Sequence, residues 1–182
     1  MPNYRRARDG RTYFFTAVTY NRRPFLCSEE NRTILKQIIE EVRRSKPFEI
    51  NAWVLLPDHL HCIWTLPEGD TDYSKRWGLI KAGFTKKAVV GRALPANQNP
   101  SRLQHREWFV WQRRFWEHRI RDEKDFEAHC NYIHYNPVKH GHVSAPSEWT
   151  YSTFHKFVKE GAYSMDWGSG APVIVPDDIG NE

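Results

Sequence analysis

Residues 53–66, WVLLPDHLHCIWTL, indicate the end of one β-strand, a Pro-Asp turn and a second strand that carries two histidines. Successive side chains of a strand point to opposite faces, so His59 and His61 project side by side from one face. Leu60 and Cys62 point to the other face, which we expect to be the core face. Two neighbouring imidazoles can share one cation, and the stretch therefore predicts half of a metal site on a β-sheet.

A second His-x-His, formed by His140 and His142, lacks this strand context. It follows an Asn-Pro pair and straddles a glycine, which predicts a turn or loop. Residues at i and i+2 of a turn need not face the same way. Metal binding is therefore predicted for the first pair alone.

Length and composition indicate one domain with an ample core. The chain has 182 residues, of which 40% are hydrophobic, with eight Trp, eight Tyr and ten Phe. No apolar run approaches the roughly 20 residues that span a bilayer, and the arginine-rich N-terminus does not resemble a signal peptide. Three widely spaced cysteines fit reduced thiols. We therefore expect a soluble cytoplasmic protein without a membrane partner.

The charge is unevenly distributed along the chain. Residues 160–182 hold five acids and no Lys or Arg, so residues 1–159 carry all 27 basic residues against 17 acids (22 less five), a formal charge of +10. A body this basic favours a polyanionic partner such as nucleic acid. We predict a domain over residues 1–160 with a basic N-terminal arm, followed by an acidic, mostly irregular tail over residues 161–182.

Periodicity and turn signals predict the order β, α, β, β, α, β, α, α. The predicted elements are a strand over 11–19, a helix from Ser28 to about 46, strands over 48–56 and from 59 onward, a helix over 71–91, a strand over 108–120, a helix from Asp122 that stops at Asn136, and a short helix over 150–159. A loop is predicted over 92–106. This is the split βαβ pattern of a ferredoxin-like α+β fold, an antiparallel sheet with two helices on one face. The opposite face is expected to stay open, and the histidine pair is assigned to it.

The helix that begins after Asp122 supplies a candidate second half of the site. Tyr132 and Asn136 are one turn apart on one face of it. A tyrosine beside a carboxamide and a two-histidine metal site suggests nucleophilic attack on a phosphodiester, with the Asn136 oxygen completing the metal site. A tyrosine, whose pKa is normally about 10, needs the electrostatic help of such an ion, and mixed nitrogen and oxygen ligands suit Mg or Mn. Spacing alone leaves Tyr135 as an alternative nucleophile.

Four segments resemble one known family. They are FEINAWVLLPDHLHCIWTLPEGD, RFWEHRIRDEKDF, YIHYNPVKHG and WTYSTFHKFVKEGAYSMDW, with a looser match at the N-terminal strand. Together they cover most of the chain and resemble the REP-associated tyrosine transposases, a single-tyrosine branch of the HUH endonucleases. The resemblance implies a ferredoxin-like fold with the metal site on one sheet face and the nucleophile on a C-terminal helix. It also implies a divalent cation, cleavage of single-stranded DNA near palindromic hairpins through a 5′-phosphotyrosine, and Tyr132 as the nucleophile.

Two features depart from that family's pattern. The wider superfamily commonly has a glutamine one turn after the tyrosine, where this chain has the shorter Asn136. The loop over residues 92–106 is longer than the family leads us to expect. Both departures concern how the metal site is completed and how the substrate fits.

Basic and aromatic residues in two segments are candidate DNA contacts, because single strands are usually held by a basic groove with aromatic faces for stacking. The candidates are Arg5, Arg6, Arg8 and Arg11 in the N-terminal arm, and Trp111, Arg113 and Arg114 in the predicted fourth strand. Alternate residues of a strand face the core, so about half of the aromatic residues there are expected to be structural.

Two other functions remain compatible with the sequence. One is a non-catalytic regulator that binds hairpin DNA on the same fold. The other is a metal-dependent phosphodiester hydrolase that activates water, with Cys62 as a ligand, although strand alternation turns Cys62 away from His61. The sequence leaves open whether the protein is a monomer or a homodimer.

Overall fold

The computed structural model describes residues 10–90, 110–174 and 179. It contains the strands β1 (Thr12–Val18), β2 (Glu49–Leu55), β3 (His59–Thr65) and β4 (Trp116–Arg119), and the helices α1 (Glu29–Ser45), α2 (Tyr73–Val90), α3 (Glu123–Lys139) and α4 (Phe154–Lys159). The strands form one antiparallel sheet in the order β2-β3-β1-β4. The predicted α+β fold and its order of elements are thereby confirmed. In these parts of the chain no helix is both long and apolar enough to cross a membrane.

Helices α1 and α2 cover one face of the sheet. The Ser28 hydroxyl accepts a hydrogen bond from the Asn31 amide, which caps the first turn of α1 as its sequence predicts. Leu35 and Ile38 belong to the apolar stripe that α1 buries. A Cβ at Gly83 of α2 would lie only 2.9 Å from Ile38 Cδ1, so the two helices pack closely because this position has no side chain.

Between the sheet and these two helices lies the larger apolar core. Phe15, Leu60, Cys62 and Trp64 point into it and are fully buried. Burial raises the pKa of the Cys62 thiol well above its usual value. Cys62 thus faces away from His61, which argues against the hydrolase in which Cys62 would be a ligand beside it.

The opposite sheet face is covered rather than open, contrary to the sequence prediction. Helix α3 packs across it, and Phe126 and Ile133 join the strand residues Phe14 and Ile63 in a second apolar cluster. The histidines on this face are consequently buried, at 1% and 0% exposure. The physical reason is that α3 has an apolar stripe of its own, which must be buried against another surface.

The fourth strand is shorter than predicted. Only Trp116–Arg119 forms β4, and the preceding residues make one isolated bridge, between Thr19 and Trp111. Lys81 Nζ on α2 donates to the carbonyl oxygens of Gln112 and Arg114, at 3.0 and 3.4 Å. Those two carbonyls therefore contact a helix instead of a neighbouring strand. The predicted loop over 92–106 lies outside the described residues.

Helix α3 continues through Pro137 to Lys139, past the predicted stop at Asn136. A proline in a helix lacks the N–H donor and its ring crowds the carbonyl four residues earlier, but Pro137 lies in the last turn, where the backbone bond from His140 N to Asn136 O (3.0 Å) still forms. Helix α4 begins at Phe154 instead of at residue 150. Ser152, two residues before it, pairs with β2 through the Val54–Ser152 bridge, so the chain lies along the sheet edge before the helix begins.

The C-terminal tail has neither helix nor strand within residues 161–174. Its aromatic side chains nevertheless pack on the domain, because the Tyr163 ring stacks on Phe154 (5.6 Å) and on Trp167 (4.4 Å). The domain boundary at residue 160 stays a prediction.

A buried histidine joins α3 to this C-terminal region. His134 Nε2 lies 2.8 Å from Thr153 Oγ1, and its Nδ1 lies 3.2 Å from the Tyr163 hydroxyl. Burial lowers the pKa of His134 from 6.5 to about 3. Between these two pH values the unfolded chain binds a proton that the folded chain excludes, so stability falls as the pH drops below 6.5.

We therefore expect the free energy of unfolding of the wild-type protein to decrease by up to about 2 kcal/mol because of His134 when the pH is lowered from 7 to 5. His134→Gln keeps polar atoms but does not titrate, so its stability should fall less over the same interval. Urea unfolding of both proteins at the two pH values measures this. Equal losses in both proteins would show that His134 does not contribute to the acid sensitivity.

Candidate active site

The histidine pair is oriented by hydrogen bonds at Nδ1. His59 Nδ1 lies 2.6 Å from Asp58 Oδ1, and His61 Nδ1 lies 2.8 Å from Thr16 Oγ1, directly across the β1–β3 ladder. The two rings are 4.9 Å apart. Because Nδ1 is engaged in both rings, Nε2 is the nitrogen that each offers to a shared metal.

Asp58 is itself held by the segment that follows β1. Arg22 Nη1 donates to Asp58 Oδ2 at 3.1 Å, and the Thr19 amide and hydroxyl donate to the Asp58 carbonyl at 2.8 and 2.9 Å. Asn21 and Arg22 adopt the left-handed backbone region, with φ of 52° and 50°. Such strained conformations persist where surrounding contacts impose them. Here they bring the Arg22 guanidinium to the carboxylate behind His59.

The charge on Asp58 favours one tautomer of His59. Burial opposes ionisation of Asp58, but the hydrogen bonds and charges of His59 and Arg22 outweigh it and lower the Asp58 pKa to about 2. Asp58 is therefore a carboxylate at neutral pH and attracts the His59 proton to Nδ1. A His59 ring whose proton is held on Nδ1 offers Nε2 to the site as the metal ligand.

Asn136 reaches the pair from α3. Its Oδ1 lies 3.3 Å from His59 Nε2, and its buried Nδ2 has no hydrogen-bond partner among the described residues. In the favoured tautomer of His59, both facing atoms are acceptors, and a cation between them would relieve their repulsion. A separation near 3 Å also matches adjacent ligands on a metal with bonds of about 2.0–2.2 Å. The donor set therefore fits a divalent cation.

Tyr132 completes the cluster from the same helix. Its side chain is 2% exposed, and its ring packs edge-on against His61 at 5.0 Å. Lys139 Nζ donates to the Tyr132 hydroxyl at 3.3 Å and lies 4.7 Å from the ring centre. Tyr135 faces elsewhere, with its ring 6.4 Å from that of Trp167. The structure thus brings Tyr132, and not Tyr135, beside the histidine pair.

Four of the candidate DNA contacts lie among the described residues. Arg5, Arg6 and Arg8 lie outside the described residues. Arg11 is half-buried beside the end of β3, with Nη1 3.5 Å from the Leu66 carbonyl, while Arg113 and Arg114 are exposed.

Trp111 does not suit base stacking, contrary to its selection from the sequence. It is only 8% exposed and packs edge-on against Phe84 at 5.3 Å. Its ring belongs to the core because α2 and the end of the sheet close around it. Trp111 is therefore left out of the DNA contacts proposed below.

The sequence patterns did not point to Thr16, Arg22, Asp58, Lys139 or His140 as site residues. Asp58 directly precedes His59, and Lys139 follows Tyr132 by two helical turns. Their spacing along the chain could therefore have identified both as site residues. His140 belongs to the second His-x-His, which was predicted to lie in a turn and not to bind metal, yet its ring is 4.9 Å from that of His59. Packing of α3 on the sheet, rather than local spacing, accounts for that contact.

Proteins of one family resemble this chain over most of its length. The family described as "Transposase IS200 like" matches residues 9–136. A REP-associated tyrosine transposase of Escherichia coli strain K12 is 46% identical over 168 residues, which are 92% of this chain and 91% of that protein. A relative in Haemophilus influenzae is 42% identical over 98% of this chain and the whole of its own length. A solved structure of a REP-associated tyrosine transposase bound to a REP hairpin matches with a TM-score of 0.77 and 44% identity, over 96% of this chain and 93% of that one.

Proposed function

Because the chain belongs to the IS200-like transposase family, among the REP-associated tyrosine transposases, we propose that it cleaves and rejoins single-stranded DNA at palindromic hairpin repeats. The observation that carries the proposal is the contact of Tyr132 with His61, 5.0 Å between rings, in a cluster that also holds Asn136. The substrate class is supported by the REP hairpin bound to the solved relative.

In the proposed reaction Tyr132 is the nucleophile. Its phenolic oxygen attacks the scissile phosphorus, the bond to the 3′ oxygen breaks, and a 5′-phosphotyrosine forms while the departing strand ends in a 3′-hydroxyl. The phenolic proton passes to solvent, and the departing oxygen takes one up. Rejoining reverses these steps with another 3′-hydroxyl and needs no nucleotide cofactor, since the phosphotyrosine retains the energy of the broken bond.

The metal ligands in this proposal are His59, His61 and Asn136. A divalent cation held there would supply a Lewis acid that offsets the negative charge of the phosphate. We propose Mg or Mn, of which Mn accepts imidazole more readily. Asp58 and Thr16 act as positioning residues, because each fixes the ring orientation of one histidine.

Lys139 is proposed to offset negative charge on the Tyr132 oxygen and the phosphate. Lys139→Met removes the ammonium group but keeps most of the apolar stem, so we expect adduct formation to slow by about 10- to 100-fold. Lys139→Arg should retain more of the rate, and Lys156→Met, an exposed lysine on α4, should behave as wild type. Single-turnover rates with a saturating hairpin measure this. An unchanged rate in Lys139→Met would remove Lys139 from the mechanism.

The proposed activity is tested with a labelled single-stranded hairpin and Mn or Mg. We expect a protein–DNA adduct that survives denaturation, together with a released strand that ends in a 3′-hydroxyl. Cleavage without an adduct would favour the hydrolase, and tight binding without cleavage would favour the regulator. An unpaired strand of the same composition is the control, and it should react more slowly if the hairpin is recognised.

The proposed DNA contacts are Arg5, Arg6, Arg8, Arg11, Arg113 and Arg114. Contacts with phosphate groups make affinity fall with salt, and each lost contact lowers the steepness of that dependence. A homodimer and a cytoplasmic location stay predictions.

A further inference from the structure

A second cluster of metal-binding side chains lies between β4 and the first turns of α3. His118 Nε2 is 2.8 Å from Asp125 Oδ2, and His129 Nδ1 is 3.1 Å from Asp125 Oδ1. One ligand atom from each of the three residues lies within 4.8 Å of the others. The Phe14 ring contacts both His129 (4.8 Å) and His61 (5.6 Å), so it stands between this cluster and the candidate active site.

The cluster is built from rigid elements. Asp125 and His129 are four residues apart on α3 and so share one helical face, while His118 comes from β4. The side chains are 23%, 9% and 2% exposed for His118, Asp125 and His129. Rings pack on both histidines, with Trp116 stacked on His118 at 6.0 Å and Phe14 against His129. This packing holds both rings beside the Asp125 carboxylate.

We propose that His118, Asp125 and His129 bind a transition-metal ion, with Zn²⁺ the best match. Two imidazole nitrogens and one carboxylate oxygen are a common ligand set for zinc, with bonds of about 2.0–2.2 Å that place neighbouring ligands roughly 3.3 Å apart in a tetrahedron. The observed separations of 2.8 and 3.1 Å need to widen only slightly. A pocket of about 510 Å³, lined in part by the three residues, gives water access to the fourth position.

Metal binding exchanges hydrogen bonds for coordination bonds. His129 Nδ1 lies 2.7 Å from the Asp125 carbonyl oxygen, a contact that coordination replaces, and the ring proton then resides on Nε2 so that Nδ1 can bind the metal. His118 must tilt away from its stacking on His129, where the rings are 4.6 Å apart. Arg121 Nε lies 3.2 Å from Asp125 Oδ2, but its side chain is 68% exposed and can move into solvent.

The bound ion would fasten an edge strand to the helix that carries Tyr132. β4 is four residues long and pairs with β1 alone in the sheet, so it has few other constraints. The inference goes beyond the proposed function, and its test does not involve DNA cleavage. A negative result for zinc binding would therefore not contradict the proposed cleavage activity, and a negative result for cleavage would not contradict the zinc site.

The test uses a His59→Ala/His61→Ala background, in which the candidate active site has lost two ligands. After exposure to Zn²⁺ and dialysis, we expect this protein to retain about one equivalent of zinc, measured by mass spectrometry. Zinc should raise its melting temperature by about 5–10 °C when present at a hundredfold excess over the dissociation constant. With Co²⁺ it should show the visible absorption of a four-coordinate site.

Further variants in that background locate the ion. Asp125→Asn and His118→Ala should each abolish zinc retention and the melting shift. Asp122→Asn is the matched control, since it removes a neighbouring carboxylate yet keeps an N-cap residue, and it should bind as the background does. If Asp125→Asn fails to fold, His118→Ala, at the partly exposed edge, decides the outcome. No zinc in the background protein, or equal retention in His118→Ala, would overturn the proposal.

Discussion

Replacing Tyr132 by phenylalanine should abolish the covalent protein–DNA adduct while leaving hairpin binding nearly unchanged. The substitution removes the one oxygen that is proposed to attack the phosphate, and without this nucleophile no phosphotyrosine can form. We expect a loss of at least about 10³-fold in adduct yield. Denaturing gel electrophoresis of the labelled hairpin measures the adduct, and a binding titration on the same sample measures affinity.

Tyr135→Phe is the matched control for this experiment. It also removes a tyrosine hydroxyl from α3, less than one turn from Tyr132. The Tyr135 ring, however, faces Trp167 and not the histidines. This variant should form the adduct at nearly the wild-type level. If Tyr135→Phe alone abolished the adduct, the assignment of the nucleophile would be wrong. Loss of folding is checked by thermal melting, because Tyr132 is buried.

Removing the divalent cation should stop cleavage as completely as removing the tyrosine. Chelation with EDTA leaves the phosphate charge without its Lewis acid, so we expect activity to drop to background and to return when Mn or Mg is added in excess. His61→Leu should show a similar loss, by about 10²-fold or more, because leucine has no ligand atom and fills a similar volume. Adduct formation is measured over a titration of each metal.

His155→Ala serves as the control for the histidine variant, since His155 lies on α4, packed against Phe154 rather than near the pair. It should keep both the activity and the metal dependence. Cleavage by wild-type protein that persists after exhaustive chelation would contradict a metal-dependent mechanism. A His61→Leu protein that is fully active at the same metal concentration would contradict the ligand assignment.

The local periodicity of apolar residues and the capping residues were sufficient to predict much of the fold. Ser28 at the start of α1 and Asp122 at the start of α3 are capping residues, and both helices begin directly after them. Strand alternation separated His61 from Cys62 correctly. The errors arose where contacts with a distant segment set the backbone conformation, as at Gln112 and Arg114, whose carbonyls accept from Lys81, and at Ser152, which pairs with β2.

The backbone repeat of a strand or a helix was enough to predict from the sequence which side chains share a face of each element. Two-residue alternation placed His59 beside His61, and the helical repeat placed Tyr132 one turn from Asn136, because these relations depend only on local backbone geometry. That the histidine pair and the Tyr132–Asn136 pair contact each other follows only from the tertiary packing. His59 and Asn136 are 77 residues apart in the chain, and their contact exists because α3 buries its apolar stripe on the histidine face.

The packing of α3 on the sheet also distinguishes the two tyrosines, which their spacing in the sequence did not. It turned Tyr132 toward His61 and Tyr135 toward Trp167, and it brought Lys139 to the Tyr132 hydroxyl. It also joined His118 of β4 to the acid and histidine of α3. Contacts between distant segments depend on how complementary apolar surfaces pack, which no local repeat in the sequence encodes.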